Sequence, residues 1–93
     1  MYLAAFIFEP GEYDAEFHRL NALIGAAAKA SPGYLGTESW VASSGKLRNV
    51  TYYWRDLDSL QAFSHDPNHL EAKREYARWY RGYHILVSQV LRS

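Results

Sequence analysis

The segment from residue 50 to residue 83 holds side chains that are suited to acid–base and ligand chemistry. It contains His65 and His69, which lie four residues apart around an Asp-Pro pair. Flat aromatic walls with hydroxyl and indole donors suit a planar, partly polar ligand such as a polycyclic phenol. The candidate ligand-binding residues are Tyr52, Trp54, Phe63, Tyr76, Trp79 and Tyr80. The alternative for the same aromatic residues is an ordinary hydrophobic core.

The two histidines have the spacing that lets two imidazoles bind one metal ion on a continuous helix. Pro67 lies between them, and Asp66 is suited to cap a new helix at this point. We therefore expect a break in the helix and predict no metal site. His69 has an ordinary pKa near 6.5 and is a candidate catalytic acid–base residue. The alternative is a polar residue at the rim of a pocket, bonded to a backbone group.

The sequence carries no recognised cofactor motif. It has no Gly-rich phosphate loop, no GxSxG and no flavin or nicotinamide fingerprint, so no cofactor is predicted. The absence of cysteine excludes disulfides, thiolate catalysis and cysteine metal sites. Lys73 is either a buried amine or a surface charge paired with Glu71 or Asp66, and the second is the usual case. Any chemistry must then come from substrate, oxygen and side chains.

Composition limits the class of protein further. The 93 residues form one domain, residues 1–93, and a hydrophobic fraction of 48% leaves apolar surface for an oligomer interface or a ligand pocket. Ten basic residues balance ten acidic ones, so we predict no nucleic-acid partner and no anionic membrane partner. No apolar run approaches the roughly 20 residues of a membrane span. With no cysteine, the expected location is the cytoplasm.

Periodicity and turn residues predict seven elements. Asp14 is the expected cap of the first helix, Asp56 caps a short second one, and Gly82 is expected just after the last one. On the third strand, Tyr52 and Trp54 share one face and Asn49 lies on the other. The elements are strand Tyr2–Phe8, a helix to about Lys29, strands Tyr34–Ala42 and Leu47–Trp54, helices Leu57–Ser64 and Pro67–Arg81, and strand His84–Leu91.

The order β-α-β-β-α-β predicts an α+β fold, with a four-stranded sheet and both helical regions on one face. The first and last strands are apolar on both faces, so the second face of the sheet also needs a cover. A chain this short can hardly supply one itself. An identical sheet is the simplest source, and we therefore predict a homodimer.

Four segments carry a family resemblance: PGYLGTESW, YYWRDLDSLQAF, HLEAK and WYRGYHILVSQV. Together they resemble the antibiotic biosynthesis monooxygenase superfamily, in its general, mostly uncharacterised bacterial branch. The signature is a Pro-Gly before strand two, a Tyr-Trp closing strand three and a Pro-x-His entering the second helix. The resemblance covers nearly the whole chain and implies a ferredoxin-like fold that forms a dimeric α+β barrel.

The superfamily includes cofactor-free monooxygenases of polyketide quinols, haem-degrading enzymes and proteins of no known reaction. The quinol-oxidising members have a pocket of Asn, Trp, Tyr and Arg, and Asn49, Trp54, Tyr76 and Arg74 supply these types. The resemblance thus implies a cofactor-independent monooxygenase acting on a small aromatic, quinol or polyketide-like substrate. In it, His69 assists deprotonation, while Asn49 and the tyrosines hold hydroxyl groups.

Two alternatives stay open. Haem-degrading members place an Asn on the first strand, a Trp in the second helical region and a haem-ligating His further on. This first strand has no Asn, the Trp position matches Phe63 and the His position matches Lys73, so haem binding would have to use His69, one helical turn away. The other alternative is a non-catalytic dimeric protein that binds a small ligand in the same pocket.

Overall fold

The chain forms four strands and four helices in a computed structural model that describes residues 1–93. The elements are β1 (Tyr2–Pro10), α1 (Ala15–Ala30), β2 (Tyr34–Val41), β3 (Arg48–Trp54), α2 (Leu57–Ser64), α3 (Pro67–Arg74), α4 (Tyr76–Trp79) and β4 (Tyr80–Gln89). The strands form one antiparallel sheet in the order β2-β3-β1-β4. This confirms the predicted α+β class and the four-stranded sheet.

The central strand β1 sets the two faces of the sheet. Its register aligns Phe6 with Val50 of β3 and with Ile85 of β4. Because neighbouring strands align side chains on the same face, these three lie together beneath the helices. The residues on either side of Phe6 in β1 point to the opposite face, which no helix covers.

Helix α1 begins where the sequence predicts. The carboxylate of Asp14 accepts a hydrogen bond from the backbone N–H of Phe17 at 2.9 Å, which satisfies one of the free donors of the first turn. At the other end, the Ser31 hydroxyl donates to the carbonyl oxygen of Ala27 at 2.7 Å. The helix presents Phe17, Leu20 and Ala28 to the core.

The second helical region breaks between α2 and α3, as the Asp-Pro pair predicts. The side chain of Asp66 accepts hydrogen bonds from the backbone N–H groups of Asn68, at 3.0 Å, and of His69, at 3.3 Å. Pro67 occupies the start of α3, where its missing N–H costs nothing. The capping that argues against a continuous two-histidine helix is therefore confirmed.

The predicted helix Pro67–Arg81 is interrupted at Glu75 and ends at Trp79 instead of Arg81. Helix α3 ends at Arg74, α4 is a single turn, and β4 begins at Tyr80 rather than at His84. Gly82 lies in β4 opposite Glu9 and does not end a helix. The reason is that β1 runs on to Pro10, where it pairs with Tyr80 and so draws this segment into the sheet.

The core consists of two clusters of buried side chains. The first is Phe17, Leu20, Ala72, Tyr76 and Trp79, and the second is Ala28, Trp54, Leu60 and Phe63. Ile24 of α1 packs against both clusters, which places α1 across the layer. None of the helices combines the length and the apolar composition needed to cross a membrane.

Candidate active site in an aromatic cavity

A cavity of about 680 Å³ lies between the helices and the covered face of the sheet. Of its 27 lining residues, 20 are hydrophobic, and they include members of both core clusters. Cavities of this size and character accept small organic ligands, held by a few polar groups. The split core is thus the wall of a ligand-sized space.

Seven of the eight residues that the sequence predicts for the site line this cavity: Tyr52, Trp54, Phe63, His69, Tyr76, Trp79 and Tyr80. Several of them also belong to the core, since Trp54 and Trp79 are almost fully buried. For these aromatic residues, the ligand-wall and core alternatives are not exclusive.

Asn49 does not reach the cavity. It lies on the opposite face of the sheet, level with Ile7 of β1 and Trp40 of β2. Its side-chain amide donates to the hydroxyl of Thr51 at 2.8 Å, and the residue is only 2% exposed. Because successive strand residues point to opposite faces, Asn49 cannot share a face with Tyr52. The sequence predicts that Asn49 holds a substrate hydroxyl together with the tyrosines, but the structure places it outside the cavity, and Asn49 is left out of the site.

His69 lines the cavity, and one of its ring nitrogens contacts a backbone carbonyl group. Its Nδ1 lies 3.4 Å from the carbonyl oxygen of Phe63, and its ring centre is 4.9 Å from that of the Phe63 ring. Because a carbonyl oxygen can only accept, this contact favours the tautomer with hydrogen on Nδ1. The lone pair of Nε2 is then free to accept a proton.

The surroundings keep His69 neutral. Burial lowers the pKa of His69 below its usual value of 6.5, and the positive charge of Lys73 lowers it further. The Phe63 carbonyl and the charge of Asp66 act in the opposite direction and are the smaller effects. At pH 7 the imidazole is therefore a base rather than an acid.

Four tyrosines line the cavity, and three of them, Tyr52, Tyr76 and Tyr80, are buried or half-buried. Burial raises the pKa of Tyr76 to about 12 and also raises the pKa values of Tyr52 and Tyr80. These phenols stay protonated at neutral pH and can donate hydrogen bonds. The tyrosine hydroxyls that hydrogen-bond within the chain belong to Tyr34 and Tyr53, so these three remain available to a ligand.

Lys73 is a site residue that the sequence does not predict. It lines the cavity, and its Nζ donates to the carbonyl oxygen of Ser64 at 3.1 Å. The available signal is its position four residues after His69, which puts both side chains on one face of α3. The other histidine of the segment, His65, also lines the cavity, with its Nδ1 2.7 Å from the carbonyl oxygen of Gln61. No three side chains among His, Asp and Glu converge as a metal site would require.

Comparison with known proteins supports the fold and identifies the family. Residues 11–87 match the family model described as "Monooxygenase af470-like". The chain is 28% identical over 93 residues to the uncharacterised protein YqjZ of Bacillus subtilis, covering 99% of this chain and 81% of that protein.

Solved structures show the same fold at low sequence identity. One is SnoaB, a cofactor-independent oxygenase from Streptomyces nogalater, with a TM-score of 0.76 and 14% identity over 99% of this chain and 94% of the other. Another is a candidate antibiotic biosynthesis monooxygenase from Deinococcus radiodurans, with a TM-score of 0.76 and 15% identity over 100% and 95%. The fold that the resemblance to the antibiotic biosynthesis monooxygenase superfamily implies is thus confirmed. Because the family model spans most of its length, the chain belongs to the monooxygenase af470-like family.

Proposed function

We propose that the protein is a cofactor-independent monooxygenase that acts on a small aromatic substrate of the quinol or polyketide type. The observation that carries the proposal is a neutral histidine in an aromatic cavity with three available tyrosine hydroxyls. The family and the shared fold with an oxygenase that needs no cofactor support it.

The reaction begins with proton removal. The aromatic body of the substrate lies against rings such as Phe63, while the phenols of Tyr52, Tyr76 and Tyr80 donate to its oxygen atoms. Nε2 of His69 accepts a proton from an activated carbon or hydroxyl of the substrate. The product of this step is a delocalised carbanion, held between mostly apolar walls.

The carbanion then reacts with molecular oxygen. Its electrons pass to O₂, a carbon–oxygen bond forms, and the imidazolium of His69 returns its proton to the resulting peroxide. Loss of water breaks the O–O bond and leaves a carbonyl on the ring. A ring CH₂ and one O₂ thus become C=O and H₂O, with no external reductant.

Oxygen uptake in the presence of a panel of anthrones and hydroquinones tests this proposal. We expect His69→Ala to lower kcat/KM by about 10²-fold or more, the usual contribution of a positioned general base. His18→Ala is the matched control, because His18 is exposed on α1 and does not line the cavity. Equal rates for wild type and His69→Ala on every compound would contradict the mechanism.

Two other results would support an alternative function instead. Tight binding of these aromatic compounds without any oxygen uptake would support a non-catalytic ligand-binding protein. A Soret band that develops and saturates when hemin is titrated into the protein would support haem binding. Each measurement is independent of the His69 substitution.

We also propose that the protein is a homodimer formed through the sheet face that carries no helix. Trp40 and Leu86 point from this face and are 54% and 51% exposed in the protomer. A second copy of the chain offers the same apolar surface, so a two-fold contact covers both.

A further inference from the structure

The charges around the cavity have one sign. Its lining includes Arg48 and Lys73 but no aspartate or glutamate. Neither cation takes part in any of the five salt bridges of the structure. The cavity is therefore apolar in its walls and positive in its fixed charge.

Lys73 is the cation closest to the proposed chemistry. It is half-buried, and its positive charge acts on His69 one turn away. Its hydrogen bond to the Ser64 carbonyl satisfies an end of α2, where the last carbonyls have no helical partner. An ammonium group has three N–H donors, so this contact leaves two for a ligand.

The carboxylates nearest to Lys73 in the sequence, Asp66 and Glu71, interact with other groups. Asp66 caps α3 through two backbone N–H groups. Glu71 lies 3.7 Å from Arg19 on the outer surface. Neither carboxylate lines the cavity, so the charge of Lys73 has no protein counter-ion there.

We propose that Lys73 binds an anionic oxygen of the ligand, so that the cavity selects aromatic acids over neutral aromatic molecules of the same shape. The proposal rests on the proposed function only in placing the aromatic ligand in the same cavity. A partly buried ammonium gains most from a charged acceptor, because such hydrogen bonds are about twice as strong as neutral ones. The apolar walls then hold the ring, and Lys73 determines which end of the molecule lies beside His69.

Binding of 2-naphthoate and of 2-naphthamide, measured by calorimetry at pH 7.5, separates charge from shape. We expect wild type to bind naphthoate about tenfold or more tightly than naphthamide, as a hydrogen bond to a charged group predicts. Lys73→Met should remove this preference and leave the affinity for naphthamide nearly unchanged. Lys29→Met is the control, because Lys29 is exposed at the end of α1 and lies outside the cavity.

Lys73→Gln is the second variant, in case loss of the bond to Ser64 disturbs the fold. Its amide can keep a donor at this position without the charge, so it should also lose the preference for naphthoate. The proposal is overturned by equal affinities in wild type, by a preference that persists in both Lys73 variants, or by the failure of both compounds to bind.

This assay needs no turnover, so its outcome is separable from that of the proposed function. A charge preference that depends on Lys73, together with no oxygen uptake, would leave the inference standing and remove the monooxygenase. Oxygen uptake that depends on His69, without a charge preference, would do the reverse.

Discussion

At the level of single residues, the protonation state of His69 decides whether the cavity contains a base. Because burial and the charge of Lys73 lower its pKa, we expect its NMR titration midpoint to lie below 6.5. In Lys73→Met the midpoint should rise, since a repelling charge is gone, but stay below 6.5, since burial is the larger cause. The resonance missing from His69→Gln assigns the signal among the four histidines.

The lowered pKa of His69 also makes the stability of the protein depend on pH. Between the folded pKa and the unfolded value near 6.5, the unfolded chain binds more protons than the folded one. The contribution of His69 to stability is thus fully present above pH 6.5 and is lost as pH falls toward the folded pKa. Base catalysis by His69 should be lost as pH falls through the folded pKa, where the imidazole takes up a proton. A midpoint at or above 6.5 in wild type would contradict both expectations.

Local spacing along helices and strands made some of the cavity residues predictable and left others out. The aromatic residues and His69 could be placed because helical and strand spacing put them on the face beneath the helices. Asn49 was predicted from its residue type, although the alternation of side chains along β3 puts it and Tyr52 on different faces of the sheet. Lys73 was missed because an isolated lysine is usually solvent-exposed, and only the fold brings its Nζ to the end of α2.

At the level of elements, the turn between α1 and β2 depends on Gly33. Its φ is +84°, and a Cβ here would lie 2.3 Å from Oγ of Ser59 and 2.7 Å from its Cβ. Its carbonyl oxygen also accepts from the backbone N–H of Arg55 at 2.8 Å, so the turn cannot easily move away. Both the backbone conformation and the contact oppose a side chain.

We predict that Gly33→Ala lowers the free energy of unfolding by about 1–3 kcal/mol, from backbone strain together with steric overlap. Gly25→Ala is the matched control within α1, where a Cβ meets nothing within 4 Å. It should stabilise the protein by up to about 1 kcal/mol, because alanine favours the helix. Urea denaturation midpoints measure both changes. A Gly33→Ala midpoint at or above that of wild type would show that the turn adapts.

The boundary between α4 and β4 was not predictable from local sequence. Residues 67–81 have helical spacing, and Gly82 resembles a helix-ending glycine. What decides the conformation is long-range pairing: Gly11 donates its backbone N–H to the carbonyl oxygen of Trp79 at 2.7 Å, and Pro10 pairs with Tyr80. The ring of Tyr80 then packs edge-on against Phe6 and Phe8, with ring centres 5.1 and 4.9 Å away. Strand β1 thus sets where the helical region ends.

The whole protomer exposes more surface than a monomer of its size should. Its accessible area is 6035 Å², whereas a folded monomer of 10.7 kDa is expected to expose about 5,500 Å². Only 13 of the 93 residues are buried, which is few for a chain whose hydrophobic fraction is 48%. The helix-free face of the sheet accounts for part of this excess.

The composition of the helix-free face is compatible with burial in an interface. Four of its polar side chains bond in pairs, Asn49 with Thr51 and Tyr53 with Glu38, so these groups stay satisfied on burial. His84 and Ser88 lie on the same face without a side-chain hydrogen bond within the chain. Apolar residues such as Leu86 lie between them. A stable two-fold contact needs about 800 Å² from each partner, which a four-stranded sheet can supply.

We therefore predict a dimer at micromolar concentration in sedimentation velocity. Leu86→Glu should shift the protein to monomer, because it places a charge on the apolar, helix-free face of each copy. Leu23→Glu, at a comparably exposed position on α1, should leave the dimer intact. Circular dichroism checks that both variants keep their helices and strands. A strictly monomeric wild type, or equal dissociation by both substitutions, would mean that the helix-free face is not the interface.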